Sequence, residues 1–396
     1  MKRVCSTLFV LLLAAAMLLL PAGCAKNADT GEGGPVSTPK GEPIPAVAAN
    51  DAVVDSPVCV AADGTVFYAD DKGIMQIAPG KEAEQVFKRA EVAGLPIAAD
   101  ASHIYFYLGG VDVDDIEAKR QVHRVSRADG ERLTVAIPEE FTRVFEIKNI
   151  YVQGGQAYIV TSDGTDKAGA EIYRTSAGFD ALSQLVSFVD TEQVFLGICG
   201  EYIYFQTTRT VQNEQDGGSI IYTDILRTPL SAPSLEGEAF FSTEYYDLEL
   251  PLITGDGYII IKDTQFSTVR IMAETGARNI ILTPDAGTQL LFVHNERLYY
   301  AITDAGDGKQ DPTNKLYSVK LDGSDNQPIG EAYSGKWQIA QNKLGPQMNI
   351  SGNTLYLSCY VGTYNDAGEQ TEEHLQIISI DLTTGEQNEL AKLKIG

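Results

Sequence analysis

The chain has 396 residues, of which 30 are Lys or Arg and 54 are Asp or Glu, so its formal net charge at pH 7 is −24. Such an acidic surface repels nucleic acid and anionic lipid headgroups, which argues against DNA or RNA binding and favours cationic or basic partners. The length does not force a division into several domains, because repeat folds made of β-strands commonly exceed the usual domain size.

The first residues are typical of an export signal. Lys2 and Arg3 precede an apolar stretch from Leu8 to Leu20, which is shorter than the roughly 20 residues that a membrane-spanning helix needs. The tripeptide Ala22-Gly23-Cys24 that follows resembles the processing site of bacterial lipoproteins. The resemblance implies a signal peptide over residues 1–23 and a lipid anchor on Cys24. A free secreted protein with an incidental Cys24 is the alternative.

Residues 24–51 contain mostly Gly, Pro, Thr, Ala and charged residues, without an apolar period. This composition predicts a flexible linker that holds the folded domain away from the membrane. The folded domain is predicted to span residues 52–396.

Paired-strand patterns recur along this domain, each with an aromatic or branched residue near the middle of its second strand. The spacing of these centres is roughly 48 residues, within the range of β-propeller blades. The centres are Tyr68, Tyr105, Tyr158, Tyr204, Ile259, Tyr299 and Tyr356. The sequence therefore predicts an all-β fold, a seven-bladed β-propeller of four-stranded blades, with six or eight blades as the alternative counts.

The last repeat shows all four strands, predicted at residues 347–350, 354–359, 375–381 and 388–393. No strand is evident that could join the first blade to the last. We therefore expect the ring to close by packing between blade faces, which buries surfaces that one blade cannot bury alone.

Two segments of the sixth repeat carry a family resemblance. The turn Leu321-Asp-Gly-Ser324, with Tyr300-Ala-Ile-Thr-Asp304 upstream, resembles the YWTD-type propellers of the LDL-receptor class and related bacterial propeller lipoproteins of unknown function. This resemblance implies the fold and a general binding role, and it carries no individual site residue.

Predicted loops divide by length. The turns between strands one and two, and between strands three and four, are tight and rich in Gly and Asp. Long insertions fall between strands two and three, and because these loops share one face of a propeller, we expect the binding surface there. The predicted insertions cover residues 109–120, 162–170, 207–218, 303–314 and 362–373.

These insertions are acidic, and carboxylates gathered on one face would attract a basic protein, a polyamine or a divalent cation. The alternative is a solvated rim that only maintains solubility. The predicted binding face comprises Asp112, Asp114, Asp115, Asp163, Asp166, Asp216, Asp304, Asp307, Asp311, Tyr364, Asp366 and Glu372. We expect no cofactor. Asp304, Asp307 and Asp311, interleaved with glycines, are the best candidate for Ca²⁺, although they depart from EF-hand spacing.

Five cysteines are present. Cys59, Cys199 and Cys359 lie within strand patterns and are predicted to be buried thiols, since their number is odd and their spacing is wide. A disulfide between Cys59 and Cys359 is the alternative, because the first and last blades become neighbours when the ring closes.

Catalytic motifs are scarce. The four histidines are dispersed, no Gly-x-Ser-x-Gly motif occurs, and no Cys-His pairing is evident. We therefore predict a monomeric, lipid-anchored extracytoplasmic propeller that serves as a non-catalytic binding or scaffolding module for a protein or a small cationic or carbohydrate ligand. An envelope enzyme that cleaves a polysaccharide or peptide with carboxylates at the channel mouth is the alternative.

Overall fold

The computed structural model describes most of the predicted propeller domain. The described residues are 52–54, 58–61, 63–70, 73–88, 97–107, 120–138, 146–162, 169–189, 191–212, 218–244, 252–253, 257–262, 267–283, 288–305, 310–338, 349–365 and 367–394. They contain 30 β-strands and no α-helix. Among these residues no helix has the length and apolar character required to cross a membrane.

The strands form seven antiparallel sheets, and apart from β1 each sheet is built from consecutive strands of the chain. A single strand, β1 (Ala52–Val54), precedes them. Blade 1 contains β2 (Val58–Val60), β3 (Val66–Asp70), β4 (Gly73–Ile77) and β5 (Glu84–Lys88). Blade 2 contains β6 (Ile97–Ala99), β7 (His103–Tyr107), β8 (Gln121–Ser126) and β9 (Arg132–Ala136). Blade 3 contains β10 (Glu146–Gln153), β11 (Gln156–Ser162), β12 (Ala170–Thr175) and β13 (Leu182–Ser187). Blade 4 contains β14 (Val194–Cys199), β15 (Tyr202–Gln212), β16 (Ser219–Pro229) and β17 (Glu238–Thr243).

The remaining three blades follow the same order. Blade 5 contains β18 (Leu252–Ile253), β19 (Tyr258–Lys262), β20 (Thr268–Met272) and β21 (Arg278–Leu282). Blade 6 contains β22 (Thr288–His294), β23 (Arg297–Asp304), β24 (Thr313–Lys320) and β25 (Gln327–Ser334). Blade 7 contains β26 (Lys336–Gln338), β27 (Asn349–Ser351), β28 (Thr354–Tyr364), β29 (Gln370–Asp381) and β30 (Gln387–Lys394). The prediction of a seven-bladed β-propeller is confirmed, and all seven predicted centres lie in the second strands of their blades.

Burial changes from the inside of each blade to the outside. The first strands β2 and β6 are completely buried, whereas the fourth strand β21 has mostly exposed residues. Second strands such as β7, with the sequence His-Ile-Tyr-Phe-Tyr, bury aromatic and branched side chains that suit a pleated surface packed on both faces. The first strands therefore surround the central channel, and the fourth strands form the outer rim.

Apolar clusters fill the space between neighbouring blades around the whole ring. The contact that closes the ring joins blade 1 to blade 7, where Val58, Val60 and Tyr68 pack against Ile377. Asn349 of β27 also donates a buried hydrogen bond of 2.9 Å to the carbonyl of Val58. Blade-to-blade packing therefore closes the ring, as the sequence predicts.

Two strands depart from the simple repeat. β1 pairs with β10 and adds a fifth strand to the channel side of blade 3, so a strand outside the repeat exists but does not join the first blade to the last. In blade 7 the innermost position is shared by β26 and β27, which pair with successive parts of β28. The sequence analysis anticipated neither arrangement.

Parts of three insertions predicted as loops are β-structure. In blade 4, β15 and β16 stay paired out to Gln212 and Ser219. In blade 6 the hairpin is paired out to Asp304 and Thr313, and in blade 7 out to Tyr364 and Gln370. The insertions lie between strands two and three as predicted, but the flanking strands extend further into them than the sequence predicts. In blade 4 the β-branched residues Thr208, Thr210 and Val211 favour this continuation.

Candidate functional site

The propeller has two unlike faces. One face carries the tight turns between strands one and two and between strands three and four, and we call it the short-turn face. The opposite face carries the hairpins between strands two and three, and we call it the hairpin face. Within the described residues, the longest paired strands of these hairpins belong to blades 4 and 7. Both hairpins extend beyond the inner and outer strands of their own sheets. In blade 4, for example, β14 pairs with β15 only as far as Gln206.

The blade 4 arm, residues 206–212 and 219–224, is held together by one arginine. The Arg209 guanidinium lies 4.3 Å from the centre of the Tyr222 ring, and its Nε donates a hydrogen bond of 2.6 Å to the carboxylate of Asp224. Val211 and Ile221 of the same arm are 38% and 40% exposed, which is unusual for large apolar side chains in this protein. The described part of this arm therefore presents exposed apolar positions together with an arginine–carboxylate pair.

The blade 7 arm, residues 360–365 and 367–374, rests on a carboxylate from blade 6. Asp311 is 7% exposed. It accepts hydrogen bonds from the backbone N–H of Gly362 at 2.8 Å and from the hydroxyl of Tyr364 at 2.9 Å. The Tyr364 ring folds back over Gly362, where a Cβ atom would lie 2.7 Å from the ring. Asp311 and Tyr364 are thus brought together as predicted, but they form a contact between two blades.

Polar contacts beneath this carboxylate connect the same two blades. The side-chain amide of Asn314 donates to the carbonyl of Gly335 at 2.7 Å and accepts from the Thr303 hydroxyl at 2.8 Å. Gly335, at φ 118°, leads from β25 into β26, and a Cβ atom there would lie 2.3 Å from the Cys359 sulfur. The link between blades 6 and 7 therefore requires glycine at this position, because a larger side chain would displace β28.

Other predicted face residues divide between described and undescribed positions. Asp304 is exposed at the end of β23, and Glu372 is exposed with its carboxylate 4.0 Å from Nε2 of His374. The remaining predicted residues lie outside the described part of the chain: Cys24, Asp112, Asp114, Asp115, Asp163, Asp166, Asp216, Asp307 and Asp366. The calcium prediction therefore stays a prediction, since Asp307 is one of its three residues. No group of three potential metal ligands occurs among the described residues.

The short-turn face is occupied by contacts that fasten one blade to the next. Arg127, in the turn between β8 and β9, reaches blade 1 and forms an ion pair of 2.7 Å with Asp63. The same guanidinium donates to the hydroxyl of Thr65 at 3.2 Å and lies 5.2 Å from the centre of the Phe67 ring. Burial alone would raise the pKa of Asp63, but the hydrogen bonds from Arg127 and Thr65 hold it below the usual value. This arginine therefore joins blades 1 and 2.

A corresponding turn of blade 3 fastens that blade to blade 2. Phe179, in the turn between β12 and β13, adopts a φ of 60° and is 1% exposed within the apolar cluster of the first three blades. Arg124 of blade 2 donates to the carbonyls of Ala177 and Gly178 and stacks on the Phe179 ring at 5.1 Å. The strained backbone at Phe179 is maintained by the burial of its ring.

Blades 6 and 7 approach so closely on this face that only glycine fits. A Cβ atom on Gly385, in the turn between β29 and β30, would lie 2.2 Å from the backbone of Gly330 in β25. The hydroxyl of Tyr333 donates a hydrogen bond of 2.6 Å to the Gly385 carbonyl. Thr-Gly and Asp-Gly pairs in the sequence predict tight turns on this face, but they do not predict which residues of the neighbouring blades these turns contact.

The buried carboxylate of Glu171 is a candidate for a catalytic group. Glu171 of β12 is 6% exposed, and it accepts hydrogen bonds from the Tyr173 hydroxyl at 2.8 Å and the Gln184 side-chain amide at 2.9 Å. Burial, together with the neighbouring Glu171, raises the pKa of Tyr173 well above its ordinary value. Since this pair is enclosed within blade 3 and its polar atoms bind one another, it is a structural network.

The cysteines within the described residues are free thiols. Cys59 packs into the cluster between blades 1 and 2, whereas Cys359 packs into the cluster between blades 6 and 7. The alternative of a disulfide between them was wrong, because their side chains point to different blade interfaces. Burial raises the pKa of both thiols, that of Cys359 to about 12 with a further contribution from Asp311.

The fold and the two faces define a seven-bladed β-propeller with one face used for assembly and the other built out by hairpins. No protein-family model matches the sequence, and no curated protein matches it. Among solved structures, puromycin hydrolase is similar with a TM-score of 0.52 and 10% identity over 88% of this chain and 55% of the hydrolase.

Two further structures show the same level of identity. A point mutant of puromycin hydrolase complexed with PGG gives a TM-score of 0.53 over the same shares of both chains. A protein described as a putative TolB from Agrobacterium tumefaciens gives 0.33 at 10% identity, over 79% of this chain and 85% of its own. This chain spans only about half the length of the hydrolase, and the likeness concerns the fold.

Proposed function

We propose that this protein is a lipid-anchored, extracytoplasmic propeller that binds a partner through its hairpin face without catalysing a reaction. Anchoring rests on the resemblance of Ala22-Gly23-Cys24 to the lipoprotein processing site. The binding role rests on the resemblance to propeller lipoproteins and on the unlike faces of the ring.

The observation that carries the binding role is the different use of the two faces. On the short-turn face, Arg127, Phe179 and Gly385 are committed to contacts between neighbouring blades. On the hairpin face, the blade 4 and blade 7 arms extend beyond the inner and outer strands of their sheets, and only the blade 7 arm is shown to contact a neighbouring blade, through Asp311. A rigid ring that presents projecting strands on one side is an arrangement in which binding surfaces commonly develop.

The chemistry of the arms favours a basic protein as the partner. Exposed carboxylates of Asp304, Glu369 and Glu372 surround the blade 6 and blade 7 hairpins. Val211 and Ile221 add apolar surface on the blade 4 arm. Carboxylates and exposed apolar positions on the same face of the ring suit a protein surface that combines Lys or Arg with apolar side chains better than a polyamine or a free cation.

The envelope-enzyme alternative finds no support in the part of the propeller that the structure describes. The likeness to puromycin hydrolase, at 10% identity, concerns the fold and carries no active site to this chain. Asp311 and Glu171, the predominantly buried carboxylates described above, are both bound by neutral donors of the same chain.

A charge-matched comparison tests the proposal. One variant combines Asp304→Asn, Glu369→Gln and Glu372→Gln on the hairpin face. The control combines three exposed carboxylates of the short-turn face: Glu201→Gln, Glu274→Gln and Glu386→Gln. Both variants change the net charge equally, so a general electrostatic effect would alter both alike.

The measurement is crosslinking in intact cells followed by affinity purification and mass spectrometry. We expect one partner to be captured by the natural protein and by the short-turn control, and to be lost from the hairpin-face variant. Equal capture by all three proteins would show that the hairpin-face carboxylates are a solvated rim.

A further inference from the structure

The blade 4 arm has one strand edge that no described strand covers. β14 pairs with β15 only as far as Gln206, whereas β15 continues to Gln212. The residues beyond this pairing, 207–212, extend for about 20 Å at roughly 3.4 Å per residue, and we call their uncovered side the blade 4 edge. β16 pairs with all of them on the opposite side without a register shift. Since alternate strand residues direct their N–H and C=O groups to opposite sides, about half of these residues present theirs at the blade 4 edge.

The other described hairpins leave no comparable edge. In blades 1, 2, 3, 5 and 6 the second strand continues for two residues or fewer beyond its pairing with the first strand. In blade 7, β28 continues from Val361 to Tyr364 beyond its pairing with β26. There the N–H of Gly362 donates to the carboxylate of Asp311 instead of to a strand. Blade 6 therefore covers this edge of blade 7, whereas no described strand or carboxylate covers the blade 4 edge.

The only charged side chain within residues 207–212 is directed away from the blade 4 edge. The Arg209 guanidinium lies over the Tyr222 ring of β16 and donates to the Asp224 carboxylate of the same strand. It also donates to the hydroxyl of Ser242 in β17 at 3.2 Å. The side chain thus crosses β16 and reaches the strand beyond it, so the blade 4 edge is left without a charge.

Open strand edges in natural proteins are usually protected by Lys, by Pro or by a bulge. Outer strands of this propeller show such protection, with Pro328 in β25 and with Lys392 and Lys394 in β30. Residues 207–212 contain no Pro, Gly or Lys, and their three threonines and one valine favour a strand. The blade 4 edge is therefore a template on which another strand can pair.

We infer that the blade 4 edge binds an extended segment of the partner protein, which adds a further strand to blade 4. This inference rests on the binding role proposed above and names its mode. Backbone hydrogen bonds would supply affinity, and an apolar side chain of the segment would lie beside Val211, which is 38% exposed. Because each chain has a net charge of −24, a segment with Lys or Arg is attracted and a second copy of this chain is repelled.

A peptide selection tests this mode of binding. The protein as isolated from cells is immobilised, and a phage-displayed library of random peptides of about ten residues, long enough to cover the edge, is selected on it. Fluorescence anisotropy then compares three proteins: the natural one, an edge variant with Thr208→Lys and Thr210→Lys, and a control with Ala232→Lys and Ala277→Lys in exposed short turns of blades 4 and 5. Both variants add the same positive charge.

We expect the selected peptides to be rich in β-branched and basic residues. They should bind the natural protein and the control alike, and the edge variant about ten-fold more weakly, because lysines on a strand edge oppose pairing with a basic strand.

A second measurement does not depend on whether the edge variant keeps its arm. Each N–H group of the best peptide is replaced in turn by N–CH₃, and binding to the natural protein is measured again. We expect about ten-fold weaker binding at every second position and little change between them, because only alternate N–H groups of an added strand point toward β15.

Several outcomes would overturn the inference. A selection that yields no peptide would do so, as would peptides that bind the edge variant as tightly as the natural protein or that depend equally on every N–H group. Dimers of the natural protein in light scattering that dissociate in the edge variant would instead assign the edge to a second copy.

Failure of this inference is distinguishable from failure of the proposed function. The peptide measurements need neither the lipid anchor nor partner capture in cells. Loss of the captured partner in the hairpin-face variant without any edge-binding peptide would refute only strand addition. Edge-binding peptides without a captured partner would refute only the proposed function.

Discussion

Replacing Asp311 by alanine should loosen the contact between blades 6 and 7. The carboxylate is 7% exposed and accepts one hydrogen bond from Gly362 and one from Tyr364. Hydrogen bonds to a charged group contribute about 1.5–3 kcal/mol each, and the Gly362 N–H would lose its partner beside the Tyr364 ring. We expect Asp311→Ala to reduce the free energy of unfolding by about 3 kcal/mol.

Two further variants are compared with Asp311→Ala. Tyr364→Phe removes only the hydroxyl donor, and because the ring is partly exposed, water can replace one bond, so we expect about 1 kcal/mol. Asp304→Ala removes an exposed carboxylate near the same hairpin and should change stability by no more than about 0.5 kcal/mol.

Thermal and urea unfolding of residues 24–396 provide the assay, with about 2 °C of melting temperature expected for each kcal/mol. A melting temperature of Asp311→Ala within error of that of Asp304→Ala would refute this role of Asp311. Asp311 would then be a solvated rim residue, and the candidate calcium site would regain a free carboxylate.

Three further predictions concern the blade contacts, the thiols and the turns. Gly385→Ala should reduce the free energy of unfolding by about 2–4 kcal/mol, because its Cβ would overlap the neighbouring blade. Gly276→Ala, at a similar φ in the corresponding turn of blade 5 with open space around it, should reduce it by about 1 kcal/mol. Equal losses of the two variants in urea unfolding would contradict this packing. Cys59 and Cys359 should resist a thiol reagent at pH 8 in the folded protein and react fully in denaturant, because burial raises the pKa of both thiols. Rapid labelling of either of these two residues in the native protein would refute this prediction. Backbone N–H groups of the turn donate hydrogen bonds to Asp381 and lower the pKa of its carboxyl group. The stabilisation from this charged carboxylate is therefore present above about pH 4 and is lost as the pH falls through the folded pKa. Asp381→Asn should have a lower melting temperature than the natural protein at pH 7, and a difference that persists unchanged to about pH 2 would be inconsistent with this cause.

The blade count could be predicted because each blade is a local unit. Tyr68 and Tyr356 mark equivalent strands in the first and last blades, and both strands pair with their immediate neighbours in sequence. Alternating apolar and polar residues, interrupted by Gly-containing turns, specify such hairpins without reference to the rest of the chain.

The candidate site could be predicted only in part. The sequence places Asp311 and Tyr364 on the same face, but their hydrogen bond depends on how blade 6 meets blade 7. It predicts loops at residues 207–212, where the blade 4 hairpin continues as paired strands. Short polar stretches rich in Thr resemble loops in composition, and pairing with a partner strand decides whether they form a loop or a strand.

The sequence by itself determined the all-β class and the seven repeats, because strand alternation and turn chemistry act over a few residues. Only the tertiary structure decided that Asp311 fastens two blades, that Arg127 and Gly385 belong to blade interfaces, and that β1 pairs with β10. These contacts join segments far apart in the chain, and their partners are defined only after the ring has closed. For this reason the difference between the short-turn face and the hairpin face emerges from the closed ring and not from any one repeat.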